Sequence, residues 1–169
     1  MGIAPLISIG WTPSLIVAAS ILVTKDMRDL GTAKEILKKR DLSLVIVKED
    51  EILFESRSSG IKGLLQAIDK FEEGLDGSSV ADRVVGRAAA LLLAYSRVKE
   101  VYAATLSDGG LEVLKENSVR VEHDNLVPKI LDRKGENICP FEKFSLTITS
   151  VEEAYRQLRA FAENLQRKP

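Results

Sequence analysis

The chain has 169 residues, of which 45% are hydrophobic, so it can bury a core as a single domain without metals or disulfides. Its 24 basic and 25 acidic side chains nearly cancel, and the formal charge of -1 argues against nucleic acid or an anionic membrane as a partner. The single cysteine excludes an internal disulfide and favours a cytoplasmic location.

Residues 1–24 contain no charged side chain and are close to the length of about 20 residues that crosses a bilayer. No basic residue precedes this stretch, and Pro5, Gly10 and Pro13 interrupt it, which argues against a secretory signal. Two interpretations remain: an extension ahead of a translation start at Met27, or a membrane anchor. We therefore predict an apolar extension over residues 1–26 and one domain over residues 27–169.

The first part of that domain alternates helix and strand signals. Apolar residues at helical spacing predict a helix over Thr32–Arg40. The β-branched run Leu42–Lys48, an acidic turn and Ile52–Glu55 predict a β-hairpin. Apolar residues on one face of Ile61–Glu73 predict an amphipathic helix that ends at Gly74.

The segment VADRVVGRAAALLLAYS, residues 80–96, is predicted as one helix. Its second half is apolar on every side, which is typical of a buried helix. If the helix begins at Gly77-Ser78-Ser79, its free N–H groups attract an anion, and Arg83 and Arg87 lie one turn apart to assist. The alternative is structural, because Ser79 followed by Asp82 matches a helix-capping pattern.

The remainder of the chain continues the alternation. We predict a strand over Val98–Leu106, a turn at Ser107–Gly110, a helix over Leu111–Glu116 and a strand over Val119–Glu122. An irregular region, Leu126–Phe144, precedes a final amphipathic helix from Val151 to about Leu165, capped by Ser150. This order predicts a mixed sheet covered by helices.

A zinc site assembled from this chain is nearly excluded. Catalytic zinc normally takes three protein ligands, mainly His and Cys, and the chain has one of each, His123 and Cys139. We therefore predict no metal and no cofactor. A Cys139 nucleophile with His123 as its base is conceivable, but lone cysteines are more often small buried hydrophobes.

The segments VADRVVGRAAALLLAY, VKEVYAATLS and NICPFEKF resemble an uncharacterised prokaryotic family with a cytidine-deaminase-like fold, over about residues 28–161. The resemblance implies an α/β protein of three layers, with a mixed central sheet flanked by helices. In true deaminases a His or Cys followed by Ala-Glu opens the central helix, and a PCxxC motif follows the third strand. Ala81–Arg83 and Ser107–Gly110 are expected at those positions and match neither motif, so the resemblance implies the fold without zinc-dependent deamination.

The resemblance also implies that these two junctions converge on one small polar cleft. Its predicted lining is Asp82, Arg83, Arg87, Ser107, Asp108 and Gly109. A family motif of unknown role, comprising Cys139, Pro140, Glu142 and Lys143, either covers that cleft or fastens the C-terminal part.

Three functions follow from this expectation. The first is a protein that binds a small anionic or nucleotide-like ligand. The second is an enzyme without metal that uses Asp82, Asp108 or Cys139. The third is an interaction protein, for example a homo-oligomer, or a membrane-tethered protein if residues 1–24 form an anchor.

Overall fold

A computed structural model describes residues 28–167 of the chain. The predicted extension over residues 1–26, with its proposed start at Met27, lies outside the described residues. Among residues 28–167, no helix is both long enough and apolar enough to cross a membrane.

Helices and strands alternate along most of the chain. The strands are β1 (Leu44–Lys48), β2 (Glu51–Ser56), β3 (Ser79–Val85), β4 (Glu100–Ser107) and β5 (Arg120–Val127). The helices are α1 (residues 28–39), α2 (Lys62–Phe71), α3 (Arg87–Tyr95), α4 (Asp108–Glu116), α5 (Pro140–Ser145) and α6 (Val151–Gln166), with a short 3-10 turn over Glu72–Leu75.

The five strands form one mixed sheet in the order β2-β1-β3-β4-β5. The strand β1 pairs antiparallel with both β2 and β3, whereas β3, β4 and β5 are parallel. Parallel neighbours require crossover connections, which α3 and α4 provide. The carboxyl ends of β3 and β4 therefore meet at the same edge of the sheet, where each strand leads directly into a helix.

Two hydrophobic clusters cover the two faces of the sheet. The larger packs α2, α3, α4 and α6 against one face, and the smaller packs α1 against the other through residues such as Leu37 and Tyr102. Every residue of Ala88–Ala94 is buried, as predicted for a helix that is apolar all round. The predicted three-layer α/β architecture with a mixed sheet is confirmed.

The prediction of a single helix over residues 80–96 is wrong in its first half. Residues Ser79–Val85 form the central strand β3, and the helix begins only at Arg87, after Gly86 in an extended conformation. The central strand is covered on both faces, so Val80 and Ala81 are both buried, each in a different cluster. Such a strand lacks the alternation of polar and apolar residues that distinguishes strand from helix.

Candidate functional site

The junctions β3–α3 and β4–α4 lie directly against one another. A Cβ atom at Gly110 would lie 2.9 Å from the Val85 carbonyl oxygen, and one at Gly109 would lie 3.5 Å from Cβ of Arg87. The two helix starts therefore meet at the sheet edge, but protein backbone fills the space between them.

At the second junction, α4 is capped by its own preceding residue. The buried Ser107 hydroxyl accepts a hydrogen bond from the Gly110 N–H at 3.0 Å. Asp108 is exposed in the first turn, where a carboxylate interacts favourably with the helix dipole. The predicted turn at Ser107–Gly110 is therefore the cap and first turn of this helix, which begins at Asp108 rather than at Leu111.

At the first junction, α3 is capped by a residue 55 positions later in the chain. Gly86 occupies the cap position and has no side chain, so Oε2 of Glu142 accepts the hydrogen bond from the Arg87 N–H at 2.7 Å. Glu142 belongs to the short helix α5 and is 6% exposed. Its negative charge stabilises the positive end of α3. A Cβ at Gly86 would lie 2.3 Å from Oε2 of Glu142, so the glycine is needed for this approach.

Beside this cap lies a cavity of about 410 Å³, which we call the Glu142 cavity. It is bounded by the start of α3, the end of β3, the loop before α2 and the segment leading into α5. Its lining residues are Ser59, Gly60, Ile61, Val84, Gly86, Ala88, Ala89, Ile130, Leu131, Asp132, Arg133, Cys139, Pro140, Phe141 and Glu142. The walls are mainly aliphatic and aromatic, with a few polar groups among them, which is the usual composition of a small-molecule site.

The polar side chains at the outer side of the Glu142 cavity form hydrogen bonds with other groups of the protein. Asp132 accepts backbone hydrogen bonds from Lys134 and Glu136, each at 3.1 Å. Burial opposes ionisation of Asp132, but these and further hydrogen bonds outweigh it and lower its pKa. The exposed Arg133 guanidinium donates to the Ser59 hydroxyl across the rim.

Asp82 is a buried carboxyl group near the carboxyl end of β3. Burial raises its pKa to about 7, although hydrogen bonds from the backbone N–H groups of Val84 and Arg83 favour its charged form. The bond from Val84 to Oδ1 measures 3.0 Å. Asp82 does not line the Glu142 cavity.

The two arginines of the predicted anion site do not share a helix face. Arg83 lies on β3, where its guanidinium forms an ion pair with Asp41 and donates to the Leu42 carbonyl at 2.7 Å. Arg87 is the first residue of α3, and its Nε donates to the Ser145 carbonyl at 3.3 Å. Correspondingly, Ser79 begins a strand and caps no helix. Whether Asp82, Arg83, Arg87, Ser107, Asp108 and Gly109 bind a ligand stays a prediction, and none of the six lines the Glu142 cavity.

The expected position of the first deaminase motif was also wrong. Ala81–Arg83 lie within β3, and the central helix opens at Gly86-Arg87-Ala88, which contains neither His nor Cys. The second expected position, Ser107–Gly110, does lie at the start of α4. Within residues 28–167, no group of three or more His, Cys, Asp or Glu side chains is placed to hold a metal ion.

The motif at Cys139–Lys143 contributes more to this region than its sequence indicated. Pro140 begins α5, Cys139 lies in the cavity wall, and Lys143 is exposed while its N–H bonds to the Cys139 carbonyl. Glu142 is the residue whose role sequence reasoning missed. No pattern within the segment distinguishes Glu142 from its exposed neighbour Lys143, since both lie between Phe141 and Phe144.

A second, larger cleft of about 520 Å³ lies at the opposite end of α3. Several side chains there contact one another at the surface: Tyr155 and Arg159 both bond to Asp69, and Tyr95 stacks on Tyr155 with ring centroids 5.4 Å apart. It holds no deeply buried charge, so the Glu142 cavity is the stronger candidate site.

The fold and the cavity together define a three-layer α/β protein whose central sheet carries a concave site at the carboxyl end of its strands. Comparison with known proteins gives the family. Residues 32–162 match the family model described as "TM1506: Domain of unknown function (DUF1893)", and the chain belongs to this family. The match agrees with the predicted extent of about residues 28–161.

The structure of the DUF1893 family protein TM1506 from Thermotoga maritima is similar, with a TM-score of 0.74 and 32% sequence identity, covering 79% of this chain and 90% of that one. Deaminases are also among the structural neighbours. The dCMP deaminase from the cyanophage S-TIM5 has a TM-score of 0.42 at 21% identity, covering 66% of this chain and 98% of that one. Acinetobacter baumannii RibD has a TM-score of 0.44 at 21% identity, and the match covers 60% of this chain but 35% of that one. No curated protein matches the sequence.

Proposed function

We propose that this protein binds a small organic molecule in the Glu142 cavity. The observation that carries the proposal is the combination of a concave volume of about 410 Å³ with mainly apolar walls and one buried carboxylate. Ligand sites commonly enclose 300–1,000 Å³ and combine apolar walls with a few polar groups that orient the ligand. Such a site also lies where ligands bind in α/β sheets, outside the carboxyl ends of the strands.

Both α3 and α4 are capped by groups of the protein. This supports the apolar walls of the Glu142 cavity, rather than the helix dipoles, as the main source of affinity for the ligand. The first N–H of α3 already donates to Glu142, and Ser107 already accepts from the first turn of α4. Each cap satisfies one N–H group at its helix start, and in both cases the partner belongs to the protein itself. We therefore propose a ligand with a compact apolar body that packs against these walls, whereas the sequence-based prediction was an anionic or nucleotide-like ligand.

A thermal-shift screen of small organic molecules against the purified protein tests the proposal. A ligand at 100 times its Kd stabilises the fold by about 2.7 kcal/mol, which raises the Tm by several degrees. Val84→Trp narrows the mouth of the cavity, since Val84 lies in its wall and is 46% exposed. We expect hits on the wild type to be lost in Val84→Trp.

The matched control is Ile52→Trp, because Ile52 is also a strand residue, is 43% exposed, and lies away from the cavity. Ligand responses are expected to persist in this variant. A screen without any saturable response, or equal responses in both tryptophan variants, contradicts the proposal. Loss of binding in Arg87→Ala with retention in Val84→Trp would instead place the site at the two helix junctions.

A further inference from the structure

We infer that the ligand of the Glu142 cavity carries a positively charged N–H donor, such as an amidine or a primary amine, on a compact apolar body. The inference rests on the proposed function and adds the chemical class of the ligand. It follows from the charges that border the cavity and from how each of them is satisfied.

Glu142 is the most deeply buried charged group in the cavity wall. A buried carboxylate costs several kcal/mol in lost hydration unless partners replace the water. An ionised carboxylate offers about four acceptor positions. Within residues 28–167, the carboxylate of Glu142 accepts a hydrogen bond at Oε2 from the Arg87 backbone, and it forms no ion pair with Lys, Arg or His. Its remaining acceptor positions are available for a donor that enters the cavity.

The other charged groups of the cavity also favour a positively charged ligand. Asp132 adds a second carboxylate to the wall, and its lowered pKa keeps it ionised at neutral pH. Arg133 is the cationic side chain of this wall, but it is exposed and directed to the Ser59 hydroxyl at the rim. An anion inside the cavity meets two negative groups, whereas a cation satisfies Glu142 by a charge-assisted hydrogen bond.

Three probes of similar shape and different charge test the inference: benzamidine, benzamide and benzoate. Each is titrated into the full chain by isothermal calorimetry and by protein-observed NMR. A charge-assisted hydrogen bond is stronger than a neutral one, so benzamidine is expected to bind about tenfold or more tightly than benzoate, with benzamide between them.

The variant Glu142→Gln separates charge from shape, because the amide oxygen still accepts the hydrogen bond from the Arg87 N–H. We expect its affinity for benzamidine to fall about tenfold and its affinity for benzamide to change by less than about twofold. If this variant does not fold, the side-chain carboxyl signal of Glu142 in the wild type, followed by NMR, replaces it. That signal is expected to shift at benzamidine concentrations at which benzoate leaves it unchanged.

The outcomes separate the two proposals. Benzoate binding as tightly as benzamidine, or screening hits that are neutral or anionic yet still lost in Val84→Trp, would overturn the charge assignment and leave the binding function intact. Binding of no probe and no screened compound would overturn both. Benzamidine binding that is insensitive to Glu142→Gln and to Val84→Trp places the cation elsewhere and overturns the inference.

Discussion

The two strand-to-helix junctions at the sheet edge have the same geometry but obtain their helix caps in different ways. The start of α4 is capped by Ser107, the residue that immediately precedes it. The start of α3 follows Gly86, and its cap comes from Glu142 in α5. The local cap keeps its hydrogen bond within one junction, whereas the distant cap places a buried carboxylate in the wall of a cavity. The difference shows how a helix start becomes the wall of a cavity.

The distant cap also connects the cavity to the C-terminal part of the fold. The helix α5 is fastened to α6 by aromatic packing, with Phe144 stacked on Phe161 at a centroid distance of 4.2 Å and Phe141 packed edge-on against the same ring. The position of Glu142 therefore depends on α6 as well as on α3. Removing the Glu142 cap is therefore expected to loosen α3, α5 and α6. Removing the Ser107 cap is expected to loosen α4 alone.

The largest expected effect on stability comes from Gly110→Ala, which tests the contact between the two junctions. A Cβ at Gly110 meets the Val85 carbonyl oxygen at 2.9 Å and the Gly86 backbone at 3.2 Å, and backbone at the end of the central strand β3 cannot easily move. Gly110→Ala is expected to lower the free energy of unfolding by about 3 kcal/mol, as measured by urea denaturation. Gly109→Ala is the control, since its Cβ meets Arg87 at an ordinary contact distance of 3.5 Å. Equal destabilisation by the two variants would contradict the close packing of the junctions.

The second prediction concerns the strands that lead into the junctions. The buried Asp82 on β3 lies opposite Ala103 on β4. The strand that leads into α3 therefore carries a buried acid at this position, whereas the strand that leads into α4 carries an alanine. The folded-state pKa of Asp82, about 7, is above the ordinary value of 3.8, so the folded state binds the proton more tightly than the unfolded state between these values. Stability is therefore expected to fall by about 2 kcal/mol as the pH rises from 5 to 8. Urea denaturation at both pH values measures the change.

Asp82→Asn is the matched control for this pH dependence. The amide retains an oxygen that can accept from the Val84 N–H but does not ionise. The loss of stability between pH 5 and pH 8 is expected to be smaller in this variant by about the same 2 kcal/mol. An identical pH profile in both proteins would show that Asp82 is not the responsible group.

The third prediction removes the distant cap. Glu142→Ala leaves the Arg87 N–H without its acceptor at a buried helix start, and it is expected to cost about 2 kcal/mol of unfolding free energy. Glu142→Gln keeps an acceptor and is expected to cost less than half as much. Hydrogen exchange of the amides in α3 and α6 should accelerate in Glu142→Ala. Unchanged exchange in α6 would show that the cap does not couple the two helices.

The same contrast explains what the sequence could predict. The hairpin, α2, α4, α6 and the buried half of α3 follow from patterns within one segment, and each prediction is confirmed to within a few residues. The segment of β3 resembles a helix in sequence because Val80 and Ala81 are buried on opposite faces, which removes the alternation typical of a strand. The cap at Ser107 can be identified from neighbouring residues, but no local pattern joins Gly86 to Glu142. The sequence also did not predict that Ile130 and Phe141 line a cavity beside α3, because tertiary packing brings these distant residues to that helix.

The smallest expected effect removes the local cap. Ser107→Ala eliminates the acceptor for the Gly110 N–H, and the loss of a serine cap typically costs about 1 kcal/mol. Faster hydrogen exchange is expected only in the first turn of α4, because Ser107 connects no other helix. Ligand responses at the Glu142 cavity should persist in this variant, since Ser107 does not line it. Loss of ligand binding in Ser107→Ala, or faster exchange in α6, would contradict the independence of the two helix caps.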